Sequence, residues 1–152
     1  MQYCIMVEVW CSMALWRFFD YITESGDNVI MDWYGVQDPE VQVQFDVTLL
    51  ILGATENWES DRVEEFKPLE RQHIGLGEII FHINALAPGA RRPHRRRFRP
   101  VGIWPTAVYR EFILLLGCEK RGRQFIPHDA FGVALRYKTA FEQGIGTTHE
   151  HV

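Results

Sequence analysis

Residues Arg91 to Tyr137 read RRPHRRRFRPVGIWPTAVYREFILLLGCEKRGRQFIPHDAFGVALRY, and the alternation of cationic and apolar blocks in this stretch decides the fold. Phe98–Trp104 and Glu111–Cys118 are dense in aromatic, β-branched and aliphatic residues and are separated by Pro105, Thr106 and polar neighbours. That pattern predicts two adjacent strands joined by a turn. Arg91, Arg92, Arg95, Arg96, Arg97 and Arg99 lead into the first strand, and Lys120, Arg121 and Arg123 follow the second. Antiparallel pairing sets the end of the second strand beside the start of the first and gathers these cations at one end of a sheet. Such a surface suits phosphate.

Working outward, GEIIFHI at Gly77–Ile83 reads as a further strand. Downstream, after a strand-like Phe125 and Ile126, apolar positions at Ala130, Phe131, Ala134, Leu135 and Phe141 recur at steps suited to a helix with one buried face. The helix is expected from Pro127 to Phe141, stopped by Gly144 and Gly146, with Thr147–Val152 as a frayed tail. Toward the N-terminus, Leu15–Ile22 suits a first strand and Thr23–Asp27 a turn. Asn28–Tyr34 then suits a short helix with Asp27 as N-cap and Gly35 at its end. Asp38–Gly53 sets two rules against each other. Val41, Val43, Phe45, Val47 and Leu49 alternate as in a strand, yet Asp38-Pro39-Glu40 is a helix start and Val41, Phe45, Leu49 and Leu52 make a helical stripe. Helix is the favoured reading, with Ala54–Pro68 as a polar connection. Tyr3, Ile5, Val7 and Val9 alternate like a strand, but Met13 offers a second start. Residues 1–12 are therefore read as an upstream extension, 13–143 as one domain and 144–152 as a flexible tail.

A chain of 152 residues, 47% hydrophobic, can bury one ordinary core, so a single domain is expected. The longest apolar runs, Leu49–Gly53 and Phe112–Cys118, fall well short of the ~20 residues of a membrane helix. With Glu8 and no cation ahead of the early apolar residues, no secretory signal is read and the expected compartment is the cytoplasm. Cys4, Cys11 and Cys118 form no CxxC pair, and His149 with His151 lacks a third ligand nearby, so neither a metal nor another cofactor is expected. The net charge of −4 hides an asymmetry: thirteen acids face two arginines up to Phe66, whereas seven acids face fourteen cations from Lys67 onward. Such a chain either binds an anion with its second half or matches its own halves electrostatically.

Three segments, FFDYITESGDNVIMDWY, FRPVGIW and REFILLLGCEKRGRQFIPHDAFGVALRYK, resemble the RelE/ParE/HigB toxins of bacterial toxin-antitoxin systems, in their phage-derived RelE-like branch. The resemblance spans roughly Met13 to Lys138. It implies an α+β fold: a small antiparallel or mixed sheet packed by two N-terminal helices and one C-terminal helix, in the order β-α-α-β-β-β-α. It also implies helix for Asp38–Gly53.

In function, the resemblance implies a ribosome-dependent endoribonuclease that cuts mRNA and is held inactive by a cognate helix-turn-helix antitoxin. A ribose 2′-hydroxyl attacks the adjacent phosphate, a step that needs orientation, proton transfer and stabilisation of added negative charge rather than a metal. Arg99 matches the strand arginine of the family, and Lys120, Arg121 and Arg123 match its basic turn, so these four are the catalytic candidates. Arg91, Arg92, Arg95, Arg96 and Arg97 become an RNA-binding arm, and His128 and Tyr137 are the acid or base candidates. Two alternatives share the fold: a gyrase-directed ParE-like poison and a catalytically silent binding protein.

Overall fold

Five consecutive apolar residues, Phe112 to Leu116, leave no polar face, and the segment folds as a central strand buried on both sides. The computed structural model describes residues 15–59, 61–86, 88–104 and 110–152. In chain order they form β1 (Arg17–Ile22), α1 (Val29–Gly35), α2 (Pro39–Ala54), β2 (Phe66–Pro68), a 3-10 turn (Arg71–His73), β3 (Leu76–Ile79), β4 (Phe81–Ala85), β5 (His94–Phe98), β6 (Val101–Ile103), β7 (Glu111–Leu116), β8 (Glu119–Arg121), β9 (Gln124–Ile126), α3 (Ala130–Glu142) and β10 (Thr147–Glu150). The class is α+β, as expected. The small sheet and the order β-α-α-β-β-β-α are not what is found: the described residues hold ten strands in two sheets, ordered β10-β1-β7-β6-β3-β2 and β4-β5-β8-β9.

The larger sheet is mixed, with β1 parallel to β7 and the remaining pairs antiparallel. Phe112 and Leu114 of β7 join Phe18, Ile30, Phe45 and Trp58 in one core beneath α1 and α2. Ile113 and Leu115 join Leu76, Val101, Ala130 and Ala134 in a second core beneath α3. Both faces of this sheet are thus covered. The helix reading of 38–53 holds, because Pro39 costs no donor in the first turn and Val41, Phe45, Leu49 and Leu52 bury one stripe. No helix among the described residues is long and apolar enough to cross a membrane.

Three strand runs break at one level. β3 gives way to β4 at Ile80, β5 to β6 at Arg99-Pro100, and β7 to β8 at Gly117-Cys118. The strands expected at Gly77–Ile83, Phe98–Trp104 and Glu111–Cys118 are therefore each divided. Pro100 has no N–H for the ladder, and Gly117 gives its side-chain space to the Trp33 ring, which a Cβ would strike. Hydrogen bonds cross the corner from Ile79 N to Pro100 O at 2.8 Å and from Arg99 N to Cys118 O at 2.8 Å.

The tail expected to fray is a strand. Thr147–Glu150 pairs antiparallel with β1, and His151 N donates to Phe18 O at 2.9 Å. His151 Nδ1 then lies 2.7 Å from Asp20 Oδ1, a buried carboxylate that also accepts from Asn28 Nδ2 at 3.0 Å. Asn28, not Asp27, caps α1 by accepting from Met31 N at 3.1 Å, while Asp27 accepts from the Ser25 hydroxyl. The last helix starts at Ala130 rather than Pro127. Residues 1–12, and the turn expected at Pro105 and Thr106, lie outside the described residues.

Candidate nucleic-acid interface

Antiparallel pairing of β6 with β7 and of β5 with β8 does bring the two cationic blocks together, placing Arg97 opposite Lys120 and Phe98 opposite Glu119. Arg95–Arg97, expected as an arm ahead of the strand at Phe98, lie within β5, so alternation along the strand sorts them. One row across the second sheet is Phe81, Phe98, Glu119 and Ile126, and its first two members belong to the core under α2. The neighbouring row is His82, Arg97, Lys120 and Phe125, on the opposite face. On that outer face His82, Asn84, Arg95 and Arg97 are exposed and Lys120 and Phe125 half-buried. Lys120 Nζ sits 5.7 Å from the centre of the Phe125 ring, and Arg95 Nη2 lies 3.0 Å from His82 Nδ1. Arg97 meets no acid among the described residues.

The inner cations are already engaged. Arg96 donates through Nε and Nη2 to the two Glu119 oxygens, each at 3.0 Å, and reaches Asp38 at 3.5 Å. Arg121 Nη2 lies 3.4 Å from the same Glu119. Burial alone would push the Glu119 carboxyl up, but the Arg96 and Arg121 hydrogen bonds outweigh it and hold the group below its usual range. The Glu119 hydrogen bond in turn raises Arg96. Arg123 is exposed in the two-residue turn between β8 and β9, where Gly122 takes the left-handed conformation at φ +59. Arg91 and Arg92 are exposed ahead of β5, and His128 is exposed between β9 and α3. Tyr137 packs against Tyr21, ring centres 5.7 Å apart.

Arg99 sits at the corner itself. Its Nε is 3.7 Å from Glu78 Oε2, close enough for an ion pair but beyond hydrogen-bond length, and that buried oxygen has no hydrogen-bond donor. Burial raises the Glu78 carboxyl against the pull of Arg99, Lys67 and Lys120. Burial likewise lowers Arg99, with Arg97 and Arg95 adding repulsion and Glu78 opposing. The Cys118 thiol donates to Arg99 O at 2.8 Å and is pushed up by burial to about 12, so it is no nucleophile near neutrality.

Sequence reasoning did not single out Glu78 or His82. The signal for Glu78 was present: one acid two residues after Leu76, inside the apolar run LGEIIF. An acid on a buried strand position is rare enough to mark a site. The assembled geometry offers free cations for phosphate on the outer face and, at the corner, a carboxyl whose raised affinity for protons suits proton transfer. No family model matches this chain, and neither a curated protein nor a solved structure matches it.

Proposed function

We propose that the chain is a RelE-like toxin that cleaves mRNA on the ribosome by 2′-hydroxyl attack and is restrained by a helix-turn-helix antitoxin. The observation that carries this reading is the meeting of Arg95, Arg97 and Lys120 with the Arg99–Glu78 pair at the bend of the sheet. Among the described residues neither Arg97 nor Lys120 forms an ion pair with an acid, and both lie on the outer face, so they are available to two phosphate oxygens. Arg99 adds charge where negative charge develops. The 2′-oxygen bonds to phosphorus as the P–O5′ bond breaks, leaving a 2′,3′-cyclic phosphate, and Glu78 takes the 2′-hydroxyl proton and returns it to the departing 5′-oxygen, a role helped by a carboxyl held above its usual range. Arg96, Arg121 and Glu119 brace this surface rather than touch RNA.

The test is a translation extract given purified protein and mapped for new 5′ ends. Wild-type protein should produce cuts within ribosome-bound message, and Arg97→Ala with Lys120→Ala should reduce them by about a hundredfold to a thousandfold, the usual loss on removing transition-state charge stabilisation. A second reading, a silent RNA-binding protein, is favoured by the engagement of Arg96, Arg99 and Arg121 with Glu119 and Glu78. Salt-sensitive RNA binding without any new 5′ end would select it and reject the enzyme.

A further inference from the structure

The two sheets end in four edges, three of them guarded. β10 carries Glu150, β2 carries Lys67 and Pro68, and β9 runs into Pro127. Charges and prolines keep an edge from accepting another strand. β4 differs: Phe81–Ala85 reads FHINA, five residues with no formal charge and no proline, and among the described residues nothing pairs with its outer side.

Along the same edge runs α2. An open groove of about 570 Å³ separates the helix from the strand, lined by Glu40, Val43 and Gln44 on one side and His82 and Asn84 on the other. The solvent side of α2 carries an apolar stripe between Glu40 and Asp46: Val43 is 61% and Leu50 73% exposed, with Val47 and Ile51 completing it at helical spacing. A stripe of this kind on a helix is normally turned to a core or a partner.

We infer that a second copy of this chain docks on this edge, pairing β4 with β4 across a two-fold axis and closing the α2 stripes against each other. An antiparallel strand pair is the arrangement such an axis generates, and it satisfies both unpartnered features with one operation. Pairing centred on Ile83 sets His82 opposite Asn84 of the second copy and Phe81 opposite its Ala85, so no like charges meet at the axis. The one formal charge on the groove lining is Glu40, and the incoming copy carries the His82–Arg95 pair beside its own β4. The product is an eight-stranded sheet, ordered β9-β8-β5-β4-β4-β5-β8-β9, whose outer face joins two cationic rows. The two Arg97 positions then lie three strand spacings apart across the sheet and two residues apart along it, about 16 Å in all.

The test is light scattering and sedimentation of the full chain across micromolar concentrations. A species of twice the 17.8 kDa chain mass is expected. Val43→Lys with Leu50→Lys places like charges across the helix contact, and Asn84→Lys puts a guard on the edge. Each should raise the dimer dissociation constant by at least about a hundredfold, with circular dichroism reporting an unchanged fold. A monomer at every concentration overturns the inference, as does a dimer indifferent to these changes. A dimer broken by the helix variant but not by Asn84→Lys also overturns it, since the strands then do not pair.

Discussion

Replacing Arg97 with glutamine should stabilise the fold while it damages function. Arg97 stands directly opposite Lys120 and meets no acid among the described residues. Like charges directly opposed on antiparallel strands cost about 0.2–1 kcal/mol, and two head groups ~7 Å apart in water repel by ~0.6 kcal/mol, which agrees. Relief of this repulsion in Arg97→Gln should raise the thermal midpoint by about 0.4–4 °C, given ~2–4 °C per kcal/mol for a domain of this size. In high salt the gain should vanish, because the screening length falls to ~3 Å at 1 M. The assay is thermal unfolding followed by circular dichroism at low and high ionic strength, run beside binding of a single-stranded RNA. A lower midpoint, or a gain that ignores salt, would show that Arg97 holds the sheet together. Full RNA binding by the variant would remove the outer face from the account.

Gly117→Ala should lower stability by about 1–3 kcal/mol through overpacking, because its Cβ would strike the Trp33 ring at the corner; an unchanged denaturant midpoint would mean the bend does not depend on that approach. His151→Ala should cost about 1–3 kcal/mol by depriving the buried Asp20 of a partner, and it should loosen β10, read as faster amide exchange at 147–150 with β7 unaffected. Wild-type exchange at the rate of an unfolded peptide there would restore the frayed tail. Glu78→Gln tests the corner by pH. Burial raises the Glu78 carboxyl, so its contribution to stability is complete below the unfolded value and is lost as pH rises through the folded one. Wild type should therefore weaken relative to Glu78→Gln between acid and neutral pH, and a relative gain over that range would show the Arg99 ion pair winning over desolvation.

Apolar stretches announced themselves in the sequence where burial is two-sided. Phe112–Leu116 reads as a strand because neither face has to meet water, and α2 reads as a helix because Asp38-Pro39-Glu40 fixes its start. The division into two sheets was harder to see, because it depends on backbone groups. Pro100 lacks a donor and Gly117 lacks a side chain, but either residue could equally end a strand outright. The pattern does change across the bend, from apolar on both parities in FILLL to uniformly charged in EKR. A strand buried on both faces carries no such run, so the change marks where the two-sided cover ends. The last strand left no apolar trace. Thr147-Thr148-His149-Glu150 is exposed along its length and held by backbone pairing to β1, with His151 beyond it as the anchor.

Charge counting along the chain does not separate paired from unpaired cations, and strand parity does. Arg95 and Arg97 share one face with Lys120, whereas Arg96 points to the other and is tied down by Glu119 and Asp38. Arg121 falls one step from Lys120 and goes to Glu119 as well. The inner cations are neutralised by Glu119, from the basic half itself, and by Asp38 at the start of α2, so Arg96–Asp38 joins the acidic first half to the basic second half on the inner side, as Arg110–Glu56 does at 3.2 Å elsewhere. Of the two possibilities raised by the charge asymmetry, the internal match is present on the inner face, and the outer face leaves Arg95, Arg97 and Lys120 for the anionic ligand proposed above. Removal of Arg96 strips a half-buried pair and leaves Glu119 with Arg121 alone, so its cost falls on the fold. Arg97 strands nothing, which is why its loss is expected to fall on the ligand.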